Sequence, residues 1–451
     1  MWDSSLIIML IIFTFTIVFM LWRPLDMNET IPTTIGAAIV LIVGIVSWRD
    51  IVDIMGIVSG PSLTILSTIM MSIVLESIGF FKWIAFNIVQ RSKGSGIRLY
   101  IYTNLLCFFM TMLFNNDGSI LITTPIIIRI IQLLKFKPHQ MFPYLISGAL
   151  IATAASAPIA VSNISNLIAL KIVGLSLNSY VTMMFVPSMI GIFVISWLLY
   201  IYFKKDIPKV ISPIPFKRAN LYSKQLYTHP LDPINTEEEI DWTMFKVCLI
   251  IIVTTRAGFF ALSPFGISIE LIGLLGASIL ITYRWIRKGI GIIDVVKNTP
   301  WQIFLFAFNM YVLVYGLKNV GLNDLMVSSL ERIVAQDALQ ATIIMGLFST
   351  VLSNLVNNLP TVMLSTMAIV DMGMDAQITQ IAYLANVIGS DIGALLTPIG
   401  TLATLIWMFE LKKYGVKVTW GKYLKVTLLV IPIGLFVSLF SLYVWIMLFI
   451  Q

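Results

Sequence analysis

Long apolar segments recur along the whole chain, and polar residues are concentrated in the connections between them. A helix needs about 20 predominantly apolar residues to cross the hydrocarbon core of a bilayer. The strands of a membrane barrel would instead alternate apolar and polar residues. The pattern therefore predicts an all-α polytopic membrane protein. The apolar segments run over 4–22, 32–48, 62–90, 98–133, 141–174, 179–203, 242–262, 265–284, 300–320, 339–370, 378–410 and 422–449.

Four of these segments are interrupted, and they occupy matching places in the two halves of the chain. The fourth segment of each half, 98–133 or 339–370, breaks at an Asn-Asn pair. The fifth segment of each half, 141–174 or 378–410, breaks at runs that contain Ser, Gly or Pro. Backbone groups freed at such breaks cannot face lipid, so they must face protein or a polar cavity. Interrupted segments at corresponding positions of two halves point to the binding site of a transporter.

The positions of lysine and arginine favour a re-entrant hairpin for the fourth segment of each half. With such a hairpin, the basic loops at 91–98 and 135–140 both face the cytoplasm, as Lys and Arg near span ends prefer. Each half then has about five transmembrane helices, one of them broken, plus one hairpin, so the second half is inverted relative to the first. The predicted division is an N-terminal repeat (1–203), a cytoplasmic linker (204–241) and a C-terminal repeat (242–451). Both termini are then extracytoplasmic.

Composition narrows the class of protein further. The chain is 58% hydrophobic and only 11% charged, whereas soluble proteins average about 25% charged residues. Its net charge of +7 comes from basic residues in loops, which indicate topology rather than binding to nucleic acid. No zinc-binding or nucleotide-binding motif is present, so no cofactor and no intrinsic ATPase are expected. A proton gradient is the energy source that the aspartates and the family resemblance described below imply. We expect a multi-pass protein of the bacterial cytoplasmic (inner) membrane, in contact with the lipid bilayer.

Two aspartates lie within the interrupted segments. Asp117 is at the tip of the first predicted hairpin, and Asp391 is in the broken segment of the second half. A carboxylate at membrane depth is costly, and its default interpretation is a functional group with a proton or cation as partner. The structural alternatives are a helix cap for Asp117 and an ion pair with Lys318 or Arg256 for Asp391. We predict that both aspartates exchange protons. Glu76 and Glu270 remain open between structural and functional roles.

Amides and hydroxyls surround these acids in the sequence. Such groups suit a small, polar, neutral or weakly charged solute with hydroxyl groups, whereas a dicarboxylate would need Arg, Lys or exposed helix N-termini. The predicted substrate-binding residues are Asn115, Asn116, Asp117, Gly118, Ser162, Asn163, Asn357, Asn358, Thr397, Gly400 and Thr401.

Motifs at the four breaks give the chain a family resemblance. The runs 114–119 (Phe-Asn-Asn-Asp-Gly-Ser), 158–163, 357–361 and 391–407 resemble the arsenite/antimonite efflux permeases, the bacterial arsenical pump membrane proteins of the ion transporter superfamily. The resemblance implies two hairpins and two unwound helices around a midplane site. It also implies extrusion of arsenite or antimonite in exchange for protons. Homodimers are common in that superfamily, and a soluble ATPase subunit is a further partner left open.

Several other functions remain open at this stage. A sodium/proton antiporter, or an organic or inorganic anion (carboxylate, silicate) transporter, would share the same superfamily and fold. An intramembrane aspartyl protease would use Asp117 and Asp391 as a dyad, but neither follows the Gly-x-Gly pattern of those enzymes. A channel is a further alternative, although interrupted inverted helices favour alternating access. The chain is therefore expected not to be an enzyme.

Overall fold

The computed structural model describes residues 4–24, 27–211 and 241–449, and the regular secondary structure in these ranges is helical. The prediction of an all-α fold is confirmed. The first half contains α1 (Ser4–Trp22), α2 (Thr30–Val43), α3 (Trp48–Ser77), α4 (Phe80–Ser92), α5 (Gly96–Leu113), α6 (Asn116–Leu133), α7 (Pro138–Ala154), α8 (Ile164–Val173) and α9 (Leu177–Phe203). The second half contains α10 (Trp242–Ala261), α11 (Ile269–Lys288), α12 (Ile293–Asn298), α13 (Gln302–Asn319), α14 (Leu322–Val334), α15 (Ala338–Val356), α16 (Asn358–Asp371), α17 (Ala376–Asp391), α18 (Leu402–Lys413) and α19 (Trp420–Phe449).

Within the described ranges, nine helical stretches are long and apolar enough to cross a membrane. Their outer faces carry large exposed apolar side chains, such as Phe193 and Phe436, as expected where lipid is the solvent. The predicted linker 204–241 lies mostly outside the described residues. Its first part, up to Ile211, packs beside the start of α5, where the Ile211 amide donates to the Gly94 carbonyl at 2.7 Å.

Two predicted segment boundaries are wrong. The apolar segments 32–48 and 62–90 correspond to α2, the long helix α3 and the shorter helix α4. Charged residues at the start of α3 hide it from a hydropathy pattern, but the Ser47 hydroxyl and the Asp50 carboxylate form a capping box that starts the helix there. Helix α14 was not predicted either, because one of its faces is polar.

The order of helices in the first half recurs in the second. In each half a long helix is followed by a short one (α4 or α14), a tightly connected helix pair (α5–α6 or α15–α16), an interrupted helix (α7–α8 or α17–α18) and a long final helix. Contacts between the halves are reciprocal: α2 packs on α13 as α11 packs on α3, and α6 packs on α18 as α16 packs on α8. The interrupted elements of one half are therefore built against those of the other.

The final helices of the two halves, α9 and α19, pack closely along each other. Glycines permit the close approach: a Cβ added to Gly434 would lie 2.3 Å from Ile195 Cγ1, and one added to Gly191 would lie 1.7 Å from Ser438 Oγ. Interfaces between membrane helices depend on such small residues because lipid offers no hydrophobic driving force for helix association.

Replacing Gly434 by leucine should therefore destabilise the protein. The added side chain collides with Ile195, and overpacking of this kind costs about 1–3 kcal/mol. The midpoint of thermal unfolding in detergent should fall for Gly434→Leu. Gly421→Leu on the same helix, where an added Cβ would meet open space, is the matched control and should unfold like the wild type. Equal midpoints for the two variants would contradict the packing described.

Candidate functional site

The first helix pair turns at Phe114 and Asn115, between α5 and α6. The Asn115 side-chain oxygen accepts a hydrogen bond from the Gly118 amide at 2.6 Å, so this residue caps α6. The Asn116 side chain accepts from the Asp117 amide at 2.8 Å. Asp117 thus lies in the first turn of α6, where a carboxylate complements the positive end of the helix dipole.

A buried arginine satisfies the end of α5. The Arg256 guanidinium, on α10, donates to the Leu113 carbonyl at 2.5 Å and to the Phe114 carbonyl. These are carbonyls that the end of a helix leaves without partners. Arg256 is 8% exposed and forms no ion pair with Asp391, and Lys318 instead pairs with Asp371 at 3.1 Å. The structural alternative for Asp391, an ion pair with either cation, is therefore wrong.

The second helix pair turns at Asn357, between α15 and α16. Asn357 has a φ of +84°, which is unusual for a residue other than glycine. Its side-chain oxygen accepts from the Leu359 amide at 3.5 Å, and its Nδ2 donates to the Ile399 carbonyl at 3.0 Å. One side chain therefore joins the turn of the second pair to the interrupted stretch between α17 and α18.

The first interrupted helix unwinds between α7 and α8, with a short 3-10 turn at Ala160–Ser162. Asn163 starts α8: its Oδ1 accepts from the amide and from the hydroxyl of Ser165, at 3.1 and 2.8 Å. With its oxygen committed to the helix, Asn163 presents its Nδ2 to Asp391 Oδ1 at 2.9 Å. This amide connects the two halves.

Asp391 is the last residue of α17 and is fully buried. Its carboxylate accepts three hydrogen bonds, all from the first interrupted helix: from Asn163, from Ser156 Oγ at 2.9 Å and from Asn166 Nδ2 at 2.6 Å. Among the described residues, neither Asp391 nor Asp117 forms an ion pair. Neutral donors alone solvate the charge of Asp391.

Asn354, on α15, holds the second interrupted stretch in place. Its Oδ1 accepts from both the amide and the hydroxyl of Thr397, each at 2.8 Å, and its Nδ2 donates to the carbonyls of Thr350 and Gly393. A Cβ on Gly400 would lie 1.9 Å from the Ala394 carbonyl oxygen, so only glycine fits there. Thr401 Oγ1 then accepts from the Thr404 amide at 3.0 Å and starts α18.

A small cavity of about 20 Å³ lies where the four breaks meet. The first turns of α6, α8, α16 and α18 all contribute to its wall, so four helix N-termini converge on one space. Helix N-termini carry partial positive charge, and here each one is partly satisfied by its own capping side chain. The lining residues are Asn116, Asp117, Asn163, Ile164, Ser165, Ile303, Phe306, Asn358, Leu359 and Leu402.

The predicted site residues divide into two groups. Asn116, Asp117, Asn163 and Asn358 line the cavity. The others do not line it: several cap or brace the helices that do, and Asp391 lies behind Asn163, to which it is hydrogen-bonded. The residues outside the lining are Asn115, Gly118, Ser162, Asn357, Thr397, Gly400, Thr401 and Asp391.

Sequence reasoning did not assign Ser156, Asn166 or Asn354 to the site, and it gave Arg256 the wrong partner. Ser156 and Asn166 flank the first break, but their partner Asp391 is more than 200 positions away in the chain. Asn354 lies one turn before the Asn-Asn pair of the second half. Arg256 is an arginine within an apolar segment, and that alone was a signal of a specific partner.

A cavity lined partly by polar side chains, at the meeting point of two interrupted helices and two helix pairs, is typical of a membrane transporter, and so are the nine candidate membrane spans among the described residues. The chain belongs to the arsenical pump membrane protein family, because the model of that family matches residues 8–446. It is 47% identical over 438 residues to a putative arsenical pump membrane protein of Bacillus subtilis, covering 96% of this chain and 98% of the relative.

Two further comparisons agree with this family and fold. An arsenical pump membrane protein of Escherichia coli is 32% identical over 431 residues, covering 96% of this chain and 97% of that protein. The crystal structure of the YdaH transporter of Alcanivorax borkumensis has a TM-score of 0.54 at 12% identity and covers 98% of both chains. At that identity the likeness concerns the fold alone.

Replacing Asn354 by leucine should loosen the stretch between α17 and α18. The change removes four hydrogen bonds and leaves buried donors and acceptors unpaired, at about 1–3 kcal/mol each. Hydrogen–deuterium exchange of a peptide spanning 393–401 should accelerate by about tenfold or more. Asn87→Leu, which removes a hydrogen bond to Trp83 within α4, is the control and should leave that peptide unchanged. Unchanged exchange in Asn354→Leu would show that this asparagine does not hold the stretch.

Proposed function

We propose that the protein is a secondary active transporter that extrudes arsenite or antimonite, as the neutral trivalent hydroxide, in exchange for protons. The observation that carries this proposal is the chemistry of the cavity: amides, a hydroxyl and one carboxylate line it beside five apolar side chains, and none of its lining residues is basic. Such a lining offers hydrogen-bond donors and acceptors to a small solute that bears hydroxyl groups. The family to which the chain belongs supports an arsenical solute as the substrate.

Binding in this cavity would rely on hydrogen bonds rather than on thiolates. A closed thiolate site for trivalent arsenic would need about three sulfur ligands. The chain has two cysteines, Cys107 on α5 and Cys248 on α10, and both are buried away from the cavity lining. Asn116, Asn163 and Asn358 present amides from both halves, so a trigonal hydroxide would find partners on several sides.

Transport of an anion is the second candidate, because four helix N-termini favour negative charge in the cavity. This observation would suit a carboxylate or an ionised silicate. Two features weigh against it: each N-terminus is already capped by a side chain, and the Asp117 carboxylate lines the same space and repels anions. A neutral hydroxide avoids that repulsion, so we favour it.

The repeated order of helices supports alternating access. We infer that the two halves are inverted repeats and that the pairs α5–α6 and α15–α16 are re-entrant hairpins that reach the bilayer midplane from opposite sides. The reciprocal contacts between the halves support this arrangement, as do the basic loops that flank the first pair. With the linker in the cytoplasm, both termini would be extracytoplasmic and the cavity would open to either side in turn.

Asp117 and Asp391 are the groups proposed to exchange protons. Asp117 lies in the cavity and is 8% exposed, so a solute and a proton would compete for the same side chain. Asp391 touches the cavity only through Asn163. The bacterial inner membrane is the proposed location, since proton-driven extrusion needs a gradient across that membrane. A homodimer and a soluble ATPase subunit remain proposals for partners.

The Asp117→Asn substitution should abolish proton-driven transport. The amide keeps the hydrogen-bonding size of the side chain but cannot exchange a proton. Uptake of arsenite into everted membrane vesicles, driven by a pH gradient, should fall to the level of vesicles that lack the protein. Asp324→Asn, at an exposed position of α14, is the matched control and should transport like the wild type.

Three outcomes would redirect the proposal. Wild-type uptake by Asp117→Asn would remove the proton role of Asp117. Uptake by the wild type that stops in sodium-free buffer would favour sodium coupling over protons. Competition by silicate or a dicarboxylate at equal concentration, with no competition by antimonite, would favour the anion transporter.

A further inference from the structure

Asp391 is a buried acid solvated entirely by neutral groups, and one of those groups has two competing hydrogen-bond acceptors. The hydroxyl oxygen of Ser156 is 2.9 Å from Asp391 Oδ2 and 2.7 Å from the Thr153 carbonyl oxygen. A serine hydroxyl has one hydrogen and can donate it to only one acceptor at a time. Ser156 and Asp391 are completely buried, so bulk water does not hydrogen-bond to either side chain.

The other two donors to Asp391 are less free to change. The Asn163 side-chain oxygen is committed to the start of α8, so its Nδ2 must face Asp391 in either protonation state. Asn166 Nδ2 donates to Asp391 Oδ2 at 2.6 Å, and the Asn166 Oδ1 is buried with no hydrogen-bond partner among the described residues. For Asn166 to accept a proton from Asp391, its whole amide group would have to turn. Rotation about the C–O bond of Ser156, in contrast, moves only one hydrogen atom.

Among the described residues, no titratable group is hydrogen-bonded to the Asp391 carboxylate. Asp117, Tyr180 of α9 and Tyr383 of α17 interact with it electrostatically. The two tyrosine hydroxyls donate to backbone carbonyls, of Ala157 at 2.6 Å and of Asn166 at 3.3 Å. Helices α15 and α9 carry no charged residue, and Asp371 is the last residue of α16. The nearest lysines on the remaining neighbours are exposed at helix ends: Lys171 of α8, and Lys422 and Lys425 of α19.

We propose that Ser156 is the positioning residue that lets Asp391 carry and release a proton without movement of the surrounding chain. When Asp391 is ionised, Ser156 donates to Oδ2. When a proton binds Oδ2, the Ser156 hydroxyl turns to the Thr153 carbonyl and its oxygen accepts the new carboxyl O–H. One proton is gained, one hydroxyl rotates, and no heavy-atom contact is lost. This inference rests on the proposed function, in which Asp391 exchanges protons.

The hydrogen bond between Asn163 and Asp391 also connects protonation of Asp391 to the wall of the cavity. Asn163 donates to Asp391 and lines the cavity with the same side chain. A hydrogen bond from an amide to a carboxylate is roughly twice as strong as one to a neutral carboxyl group. Protonation of Asp391 therefore loosens Asn163 at the wall of the cavity. Ser156 sets whether that protonation can occur.

The test separates proton-coupled transport from exchange of solute. In proteoliposomes, Ser156→Ala should reduce uptake driven by a pH gradient by about fivefold or more, because the carboxyl O–H of protonated Asp391 loses the hydroxyl that accepts it. Exchange of internal for external arsenite at equal pH, which needs no change at Asp391, should stay within about twofold of the wild type. Ser156→Thr, which keeps a hydroxyl, should restore coupled uptake.

Ser390→Ala is the matched control. Ser390 is also fully buried and precedes Asp391 in the chain, but its hydroxyl donates only to carbonyls of its own helix, those of Asn386 and Val387. It should show wild-type uptake and exchange. An equal fall of uptake and exchange in Ser156→Ala, or no fall in either, would overturn the inference. Absence of coupled uptake in the wild type would instead overturn the proposed function.

An infrared measurement tests the same hydrogen bond without transport. Acidification of the purified protein should produce a carboxylic C=O stretching band that Asp391→Asn abolishes. The band should move to higher wavenumber in Ser156→Ala, because the carboxyl O–H loses its acceptor, and should stay in place in Ser390→Ala. An unshifted band in Ser156→Ala, or no band that depends on Asp391, would refute the role assigned to Ser156.

Discussion

Satisfying the backbone groups at four helix breaks is the constraint on which the rest of this structure depends. A helix that stops inside a bilayer leaves amides and carbonyls without partners, and lipid offers none. The chain meets this demand with side chains: Asn115, Asn163, Asn357 and Thr401 each cap the helix that follows a break. Because the four capped helices start around one space, the groups that stabilise the breaks also build the cavity.

The two halves share an order of helices but not a distribution of charge. The first half places its acid in the helix pair, as Asp117, where the second half has Leu359 at the corresponding place in α16. The second half places its acid at the end of its interrupted helix, as Asp391, where α7 of the first half ends in Ala154. Asp391 accepts hydrogen bonds from neutral groups of the first half, and Asp117 lines the cavity together with Asn358 of the second half. The two halves therefore carry their buried acids at different places in the repeated order of helices.

Much of this architecture could be predicted from local sequence. Apolar length predicted the helices, and Asn, Gly and Pro within apolar segments marked all four breaks, including Asn116, Asp117, Asn163 and Asn358 of the cavity lining. Hydropathy could not find α14, because one face of this helix is polar. The partners of the buried polar residues were also beyond local reasoning. Asp391 and Ser156 meet only because the interrupted helices of the two halves pack on each other, and no pattern within either segment encodes that contact. The same holds for Arg256. Its partners are backbone carbonyls at the end of α5, and because every residue has a backbone carbonyl, the sequence does not identify them.

Site-directed accessibility labelling tests the central claim, that the two helix pairs are hairpins entering from opposite sides, most directly. Single cysteines would replace Lys93 and His139 beside the first pair, and Gln336 and Met374 beside the second, in a chain whose Cys107 and Cys248 are replaced by serine. The account predicts that positions 93 and 139 react with an impermeant thiol reagent from the cytoplasmic side only, and that positions 336 and 374 react from the outside only. Labelling of 93 and 139 from opposite sides would contradict the account.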